Sequence, residues 1–366
     1  MKFPGFKILD RYITVKFLGT YFFAIALIIV IIVIFDAAEK MDDFIELKAP
    51  LSKIIFTYYL NFVPYMINQF SGLFTFIAVI FFTSKMAYNT EIIAILSSGV
   101  SFRRMLWPYL LSATVITGLS LALNLFVIPV SNQIRLDFEA EYLKKGRRAM
   151  RYDQHIFRQV TPGTFAYIRG FNGATQRATY LALETYDEGS LISALEAGTV
   201  RFDSINTRWT AREYLVRRFD ADGTEHFEKK EKLDTMINLT ADELGKVENL
   251  VKTMNYFELN RFVRQQRAKG SDMIAVFEVE KYSRWAYPFS AFILTLMGVS
   301  LSSRKVRGGT GLHIGIGIGL CFTYIMFMKF AEEFAKGGVL PSVVSVWMPN
   351  IIFALIGIYL YRKAPK

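Results

Sequence analysis

Two residue types with chemistry to offer are nearly absent. A single cysteine, Cys321, excludes a disulfide framework, an iron–sulfur cluster and a cysteine-built zinc site. The three histidines, His155, His226 and His313, are scattered and fall into no metal-ligand spacing. No G-x-x-x-x-G-K-[ST] run occurs, so the chain has no phosphate-cradling loop of its own, and H-E-x-x-H is missing as well. Nor do carboxylates stand deep inside the long apolar runs, as an ion-gradient mechanism would require. No catalytic residue, metal or cofactor is therefore expected, and any uphill work needs a partner. Charge is also sparse: 20% of the 366 residues are charged and 52% are hydrophobic, with a mean hydropathy of +0.28. A soluble chain carries about 25% charge, and a single soluble globule is excluded.

The net charge of +11 raises the question of nucleic acid. Between Ser131 and Arg284 stand 25 basic and 23 acidic residues, which leaves 18 basic and 9 acidic for the rest of the chain. The excess lies beside apolar runs, where the positive-inside rule puts it. No nucleic-acid partner is expected.

Six runs are long enough to cross about 30 Å of hydrocarbon, for which about 20 helical residues suffice. They are Phe17–Phe35, Ile54–Ser84, Met105–Ile134, Trp285–Ser303, Gly308–Met328 (interrupted by His313 alone) and Gly337–Tyr361. Buried helices of a soluble core would be shorter and carry polar faces. His313 reads most simply as an interfacial or packed side chain. Pro64 is a candidate kink in the second span. The two tails and the loops after spans two and four carry 13 Lys and Arg. The opposite short loops, 36–53 and 329–336, carry five lysines and seven acids. Both termini are thus expected in the cytoplasm, and the insert of about 150 residues between spans three and four outside.

That insert reads as β. A polar helical extension of span three, Ile134–Arg151, precedes alternating runs at His155–Val160, Thr164–Ile168, Ala178–Tyr186, Ser190–Phe202, Trp209–Phe219 and Glu225–Leu239. Turn signals such as Pro162-Gly163, Asn172-Gly173 and Asp187-Glu188-Gly189 punctuate them. Short strands at about 8–12-residue spacing predict an all-β sandwich or jelly roll. Helix returns over Ala241–Met273, with Thr240 as its cap and Asp242-Glu243 in the first turn. The division is 1–134 for spans one to three, 135–280 for the β domain with helical flanks, and 281–366 for spans four to six.

Two short patterns stand out. The segment 85–99 predicts a small amphipathic helix: Asn89 or Thr90 caps it, Glu91 sits in its first turn, and Gly99 takes the left-handed end. Its apolar face is Ile92, Ile93, Ile95 and Leu96. Such a helix either lies on lipid or docks into a groove of a cytoplasmic ATPase, with Glu91 pairing an arginine. Gly311, Gly315 and Gly319 recur every four residues in span five, the spacing of a helix-packing seam within the chain or against a second subunit. A seam of glycine contacts can also open as a gate.

These residues resemble a known family. Glu91-Ile92-Ile93-Ala94 through Ser98-Gly99-Val100-Ser101 carries the likeness, with Arg284-Trp285-Ala286-Tyr287-Pro288, Gly298 and Ser303-Arg304 through Gly309. Leu340-Pro341, Trp347-Met348-Pro349-Asn350 and the opening Ile8-Leu9-Asp10-Arg11-Tyr12 complete it. Their order, around a β insert between spans three and four, resembles the YjgP/YjgQ permease family, the LptF and LptG subunits of lipopolysaccharide export. Phe35-Asp36 with Glu39-Lys40-Met41-Asp42-Asp43 looks more like the LptG branch.

The resemblance implies an inner-membrane permease subunit paired with a paralogous permease over a dimer of the ATPase LptB. It further implies a periplasmic jelly roll that passes lipopolysaccharide to LptC and an LptA-type bridge. Glu91 falls where the family's coupling glutamate meets LptB, with Ile92, Ile95, Leu96 and Gly99 around it. Lys40 falls near the family's phosphate-contacting cations. Val33 stands where other members carry a further lysine, and Arg135 is read as its substitute or as an interfacial anchor. The jelly roll is expected to hold acyl chains in an apolar interior slot. The rival reading is a membrane-anchored scaffold or sensor whose β domain binds a partner outside.

Overall fold

The computed structural model describes residues 7–143, 151–152, 156–172, 175–203, 206, 208–220, 223–237, 247–268, 271, 273–303 and 309–364. The chain divides into two compact units. One comprises Met1–Lys40, Tyr59–Asn132 and Glu278–Lys366; the other comprises Met41–Tyr58 and Gln133–Phe277.

The first unit is helical. Six helices are long and apolar enough to cross a membrane: α1 (Ile8–Glu46), α2 (Leu51–Tyr88), α4 (Phe102–Tyr142), α7 (Ile274–Ser302), α8 (Gly309–Lys336) and α9 (Ser342–Lys363). The short α3 (Glu91–Ser97) joins α2 to α4. These helices outrun the apolar stretches because polar residues at their ends continue the hydrogen-bond ladder. Two of them loosen to π-helix, α2 over Ile54–Tyr59 and α4 over Leu123–Val127.

Prolines inside the helices leave carbonyls that apolar surroundings cannot satisfy. Pro288 of α7 removes the amide that would serve the Arg284 carbonyl, and the Asn124 side chain donates to that oxygen at 3.4 Å. Thr117 donates to the Pro288 carbonyl itself at 3.1 Å. Close approach of α2 and α7 requires glycine at 298, where a Cβ would lie 2.7 Å from Cγ1 of Val79.

The second unit is a double-sheet β insert with helical flanks. Its strands are β1 (Arg151–Tyr152), β2 (Ile156–Thr161), β3 (Thr164–Ile168), β4 (Phe171–Asn172), β5 (Arg177–Ala178), β6 (Leu181–Asp187), β7 (Ser190–Ala197), β8 (Val200–Asp203), β9 (Arg208–Ala211), β10 (Tyr214–Phe219), β11 (Glu225–Lys230) and β12 (Leu233–Thr235). One sheet runs β1-β4-β5-β8-β9-β12, the other β11-β10-β7-β6-β3-β2, and the pairing is antiparallel throughout. Ile168, Leu181, Ala197, Val200, Trp209 and Leu233 from both sheets share one core, as expected of a jelly-roll-like sandwich.

Four runs read as single strands are each two. Ala178–Tyr186 breaks into β5 and β6, and Ser190–Phe202 into β7 and β8; Trp209–Phe219 becomes β9 and β10, and Glu225–Leu239 becomes β11 and β12. Each break carries the chain from one sheet to the other. At the corners the inward residues stand three apart instead of two, as Ala178 and Leu181 or Ala197 and Val200 do, so the alternation slips by one residue where the chain changes sheet.

The extension of span three ends at Tyr142. Among the described residues of the flank read as one helix over Ala241–Met273, the chain forms two, α5 (Val247–Thr253) and α6 (Tyr256–Ala268). Asn255 accepts from the amides of Phe257 and Glu258 at 3.0 Å while Glu258 accepts from the Asn255 amide at 2.9 Å, a capping box that starts a fresh helix. The Thr240 cap, the basic loop 304–308 and the side chain of His313 lie outside the described residues. Met41–Tyr58, assigned from sequence to the first set of spans, joins the β-bearing unit through stacked rings. Phe44 lies 6.1 Å from both Tyr58 and Phe138, and those two lie 5.2 Å apart.

Candidate functional site

The α2–α4 connection is built tightly. Thr90 adopts φ 62° and Gly99 φ 86°, so the segment is bounded by two left-handed residues, one as foreseen and one a strained threonine. That conformation turns the Thr90 hydroxyl back onto the Asn89 carbonyl at 2.6 Å, and neither Asn89 nor Thr90 caps α3 as the sequence suggested. Asn89 instead donates from Nδ2 to Oε1 of Glu91 at 3.2 Å. The other carboxylate oxygen of Glu91 accepts from the Tyr12 hydroxyl of α1 at 2.9 Å.

The apolar face of α3 is narrower than its composition suggests. Ile92 is buried among Ile13, Phe17, Met86 and Phe102, with Ile95 and Leu96 packed against the same cluster at i+3 and i+4. Ile93 points away and is 52% exposed. Beside α3, buried Asp10 of α1 receives both terminal nitrogens of Arg104 from α4, at 2.5 and 2.6 Å. Sequence reasoning missed this bidentate pair. The two residues lie 94 positions apart, and only the basic Arg103-Arg104 pair beside an apolar run hinted at a role.

Lys40 and Arg135 each face a carboxylate four residues along their own helix. Lys40 meets Asp36 at 2.5 Å and lies 5.6 Å over the Phe62 ring; Arg135 meets Glu139 at 3.5 Å. Both pairings were legible as i, i+4 spacings. A lipid phosphate reaching either cation would therefore compete with a resident carboxylate.

Gly311, Gly315 and Gly319 are exposed, and nothing described lies within 4 Å of where a Cβ would stand on any of them. Within the chain the packing glycine of α8 is the intervening Gly317, against Ile80 of α2. Their stripe faces off the unit, because Gly317 sits on the opposite side of the helix.

A cavity of about 130 Å³ in the helical unit is lined by Asn68, Ser71, Ser120, Tyr287, Tyr324 and Lys329. Asn68 donates to Asn124 at 2.9 Å and accepts from Ser120 at 2.5 Å. Amides inside apolar spans were a signal that sequence reasoning left unused.

In the β unit Trp209 is fully buried against Phe171 and Phe202, and half-buried Leu183, Leu195 and Tyr214 pack against the same core. An outer groove of about 510 Å³ runs past Glu196, Thr199, Arg212, Tyr214 and Lys229. Nearby, burial and the Glu196 carboxylate, which accepts from the Tyr180 hydroxyl at 2.9 Å, push that phenol up to about 12.

Six membrane-length helices interrupted after the third by a double-sheet β unit define a multi-pass membrane protein. Residues 11–363 match the family model described as lipopolysaccharide export system permease LptF/LptG, and the chain belongs to that family. It is similar to the lipopolysaccharide export system permease protein LptG of Escherichia coli strain K12, 21% identical over 366 residues, covering 98% of this chain and 99% of that protein. The LptG of Escherichia coli O6:H1 strain CFT073 stands at the same identity and coverage. Both relatives carry the name of the branch that the Phe35–Asp43 segment resembles.

Proposed function

We propose that this lipopolysaccharide export permease is an unpowered half of an extruder in the bacterial inner membrane. It pairs with a paralogous permease, and an LptB-type ATPase dimer drives the pair from the cytoplasmic side. Both termini and the 85–99 segment face that ATPase, while the β unit faces the periplasm and hands lipid to an LptC- and LptA-type bridge. Spans with uncharged, Phe- and Ile-rich faces suit acyl chains, and cations at one rim suit the phosphates of the headgroup. Lys40 and Arg135 serve that rim by exchanging Asp36 and Glu139 for phosphate. The margin of the β core at Leu183, Leu195 and Tyr214 receives acyl chains. The open glycine stripe of Gly311, Gly315 and Gly319 meets the paralogue and forms the gate.

One observation carries the coupling role. Ile92, Ile95 and Leu96 seat α3 on the spans, while Ile93, Ala94 and Ser97 remain uncovered beside Glu91. A push on that outward face is delivered directly to α1, α2 and α4. The test is Glu91→Lys in the full complex reconstituted in proteoliposomes. We expect normal membrane insertion and at least about a hundredfold loss of ATP-driven lipopolysaccharide release, the cost of setting like charges against an arginine across a docked interface. Release at the unmutated rate would remove the coupling role and favour a scaffold.

A further inference from the structure

We infer that Tyr12 is a positioning residue that holds the Glu91 carboxylate and makes the start of α1 move with α3. The inference rests on the coupling role proposed for Glu91.

The geometry links three segments far apart in sequence. Tyr12 donates to Glu91 Oε2 at 2.9 Å, and its ring lies 6.2 Å from that of Phe82 in α2, so the hydroxyl is aimed by packing. Asn89 holds the other oxygen at 3.2 Å, which leaves the carboxylate little rotation. Two residues before Tyr12, Asp10 is 1% exposed and is clamped by Arg104, whose own amide donates to Ser101 at the start of α4. The Lys7 amide also donates to Asp10, at 2.9 Å. Two contacts therefore fasten the first turns of α1. The clamp to α4 is charge-assisted and bidentate, the stronger kind. The hydroxyl bond to α3 is single and partly exposed.

The asymmetry has a mechanical consequence. Displacing α3 carries Glu91, and Glu91 either draws Tyr12 with it or loses that hydrogen bond. Asp10 and Arg104 keep the end of α1 against α4 in either case. Ile92 packs in the same core as Ile13 and Phe17, so apolar contact reinforces the same path. Movement of the short helix thereby reaches the span with the most uncovered apolar face without passing through α2.

The experiment uses the whole complex of this chain, its paralogous permease and the ATPase dimer, in proteoliposomes loaded with lipopolysaccharide. Tyr12→Phe keeps the ring against Phe82 and removes only the donor. The readout is lipopolysaccharide released per ATP hydrolysed, which loss of folded complex does not change because both rates then fall together. The expected result is about a fivefold lower ratio, the scale of one partly exposed hydrogen bond to a charged acceptor. An unchanged ratio overturns the inference.

A second measurement needs no substitution at Tyr12. Nitroxides at positions 8 and 94, both outward, report the separation of α1 and α3 with and without a non-hydrolysable nucleotide. A constant separation supports movement as one piece, and a change overturns it. The two claims fail separately. Normal release by Glu91→Lys removes the coupling role itself, whereas blocked release with an unchanged ratio in Tyr12→Phe removes only the latch.

Discussion

Helices α7 and α1 are both of membrane length, yet 61% of the apolar stretch of α7 is buried within the chain and only 22% of that of α1. Beside Leu294, Met297 and Val299, the inward face of α7 carries small or polar residues: Ser290, Thr295, Gly298, Ser300 and Ser302. The uncovered face of α1 is large and uniformly apolar, with Phe22, Phe23, Leu27, Val30, Ile31 and Ile34. Lipid tails are as apolar as leucine, so hydrophobicity gives helices in a bilayer no reason to hide one face rather than another. Close packing and hydrogen bonds decide instead. The central span is marked by the residues that make it less hydrophobic.

The sharpest way to break that comparison is to fill a glycine on each kind of surface. Gly298→Leu would place a Cβ 2.7 Å from Val79 and 3.3 Å from Phe76, forcing α2 and α7 apart. Overpacking of this kind costs about 1–3 kcal/mol, read as a lower melting temperature of the purified chain in detergent. Gly315→Leu adds the same bulk where nothing described lies within 4 Å, and its melting should shift by no more than about 0.5 kcal/mol. Equal losses from the two substitutions would show that glycine matters here for helix propensity and not for contact.

How much of this was readable in advance follows the same division. Span number and the β character of the insert depend on run length and alternation, which are local, and both were legible. The sheet-switching corners were passed over, because a single slip in alternation, such as the three-residue step from Ala197 to Val200, is a weak signal inside a long run. At the candidate site, Gly99 and the first-turn place of Glu91 follow from neighbours in sequence. Asp10–Arg104 and Tyr12–Glu91 join residues 94 and 79 positions apart, and no spacing rule reaches across a span. The glycine stripe gave the right spacing but not which neighbour it faces, and the structure shows that it does not pack within the described chain. Gly317 packs on Ile80 while Gly311, Gly315 and Gly319 do not, a difference that depends on helix rotation.

Buried polar side chains sharpen the comparison at a smaller scale. Asn350 of α9 is 2% exposed; it accepts from the Tyr324 hydroxyl at 2.6 Å and donates to the Ala286 carbonyl at 2.8 Å. It therefore ties α8 and α9 to the stretch of α7 that carries Pro288. Asn350→Leu keeps the volume and removes both bonds, for an expected loss of about 1–2 kcal/mol in the same melting assay. Melting at the parent temperature would mean that apolar packing alone centres α7.

The smallest effect on the isolated chain is expected where α1 is bare. Phe23 is 71% exposed in this chain, so Phe23→Ala removes a ring that touches little of its own protein. Its melting should stay within about 0.5 kcal/mol of the parent. In the pairing proposed above, the same ring lies against the paralogous permease or the lipid between the two. A truncated aromatic at the centre of an interface commonly costs about 2 kcal/mol of association, which would appear as easier dissociation of the pair on dilution. The two readouts pull apart only if the bare face belongs to a partner. A lowered melting point of the isolated chain would mean that α1 is covered from within, and a pair that survives dilution unchanged would leave Phe23 facing lipid alone.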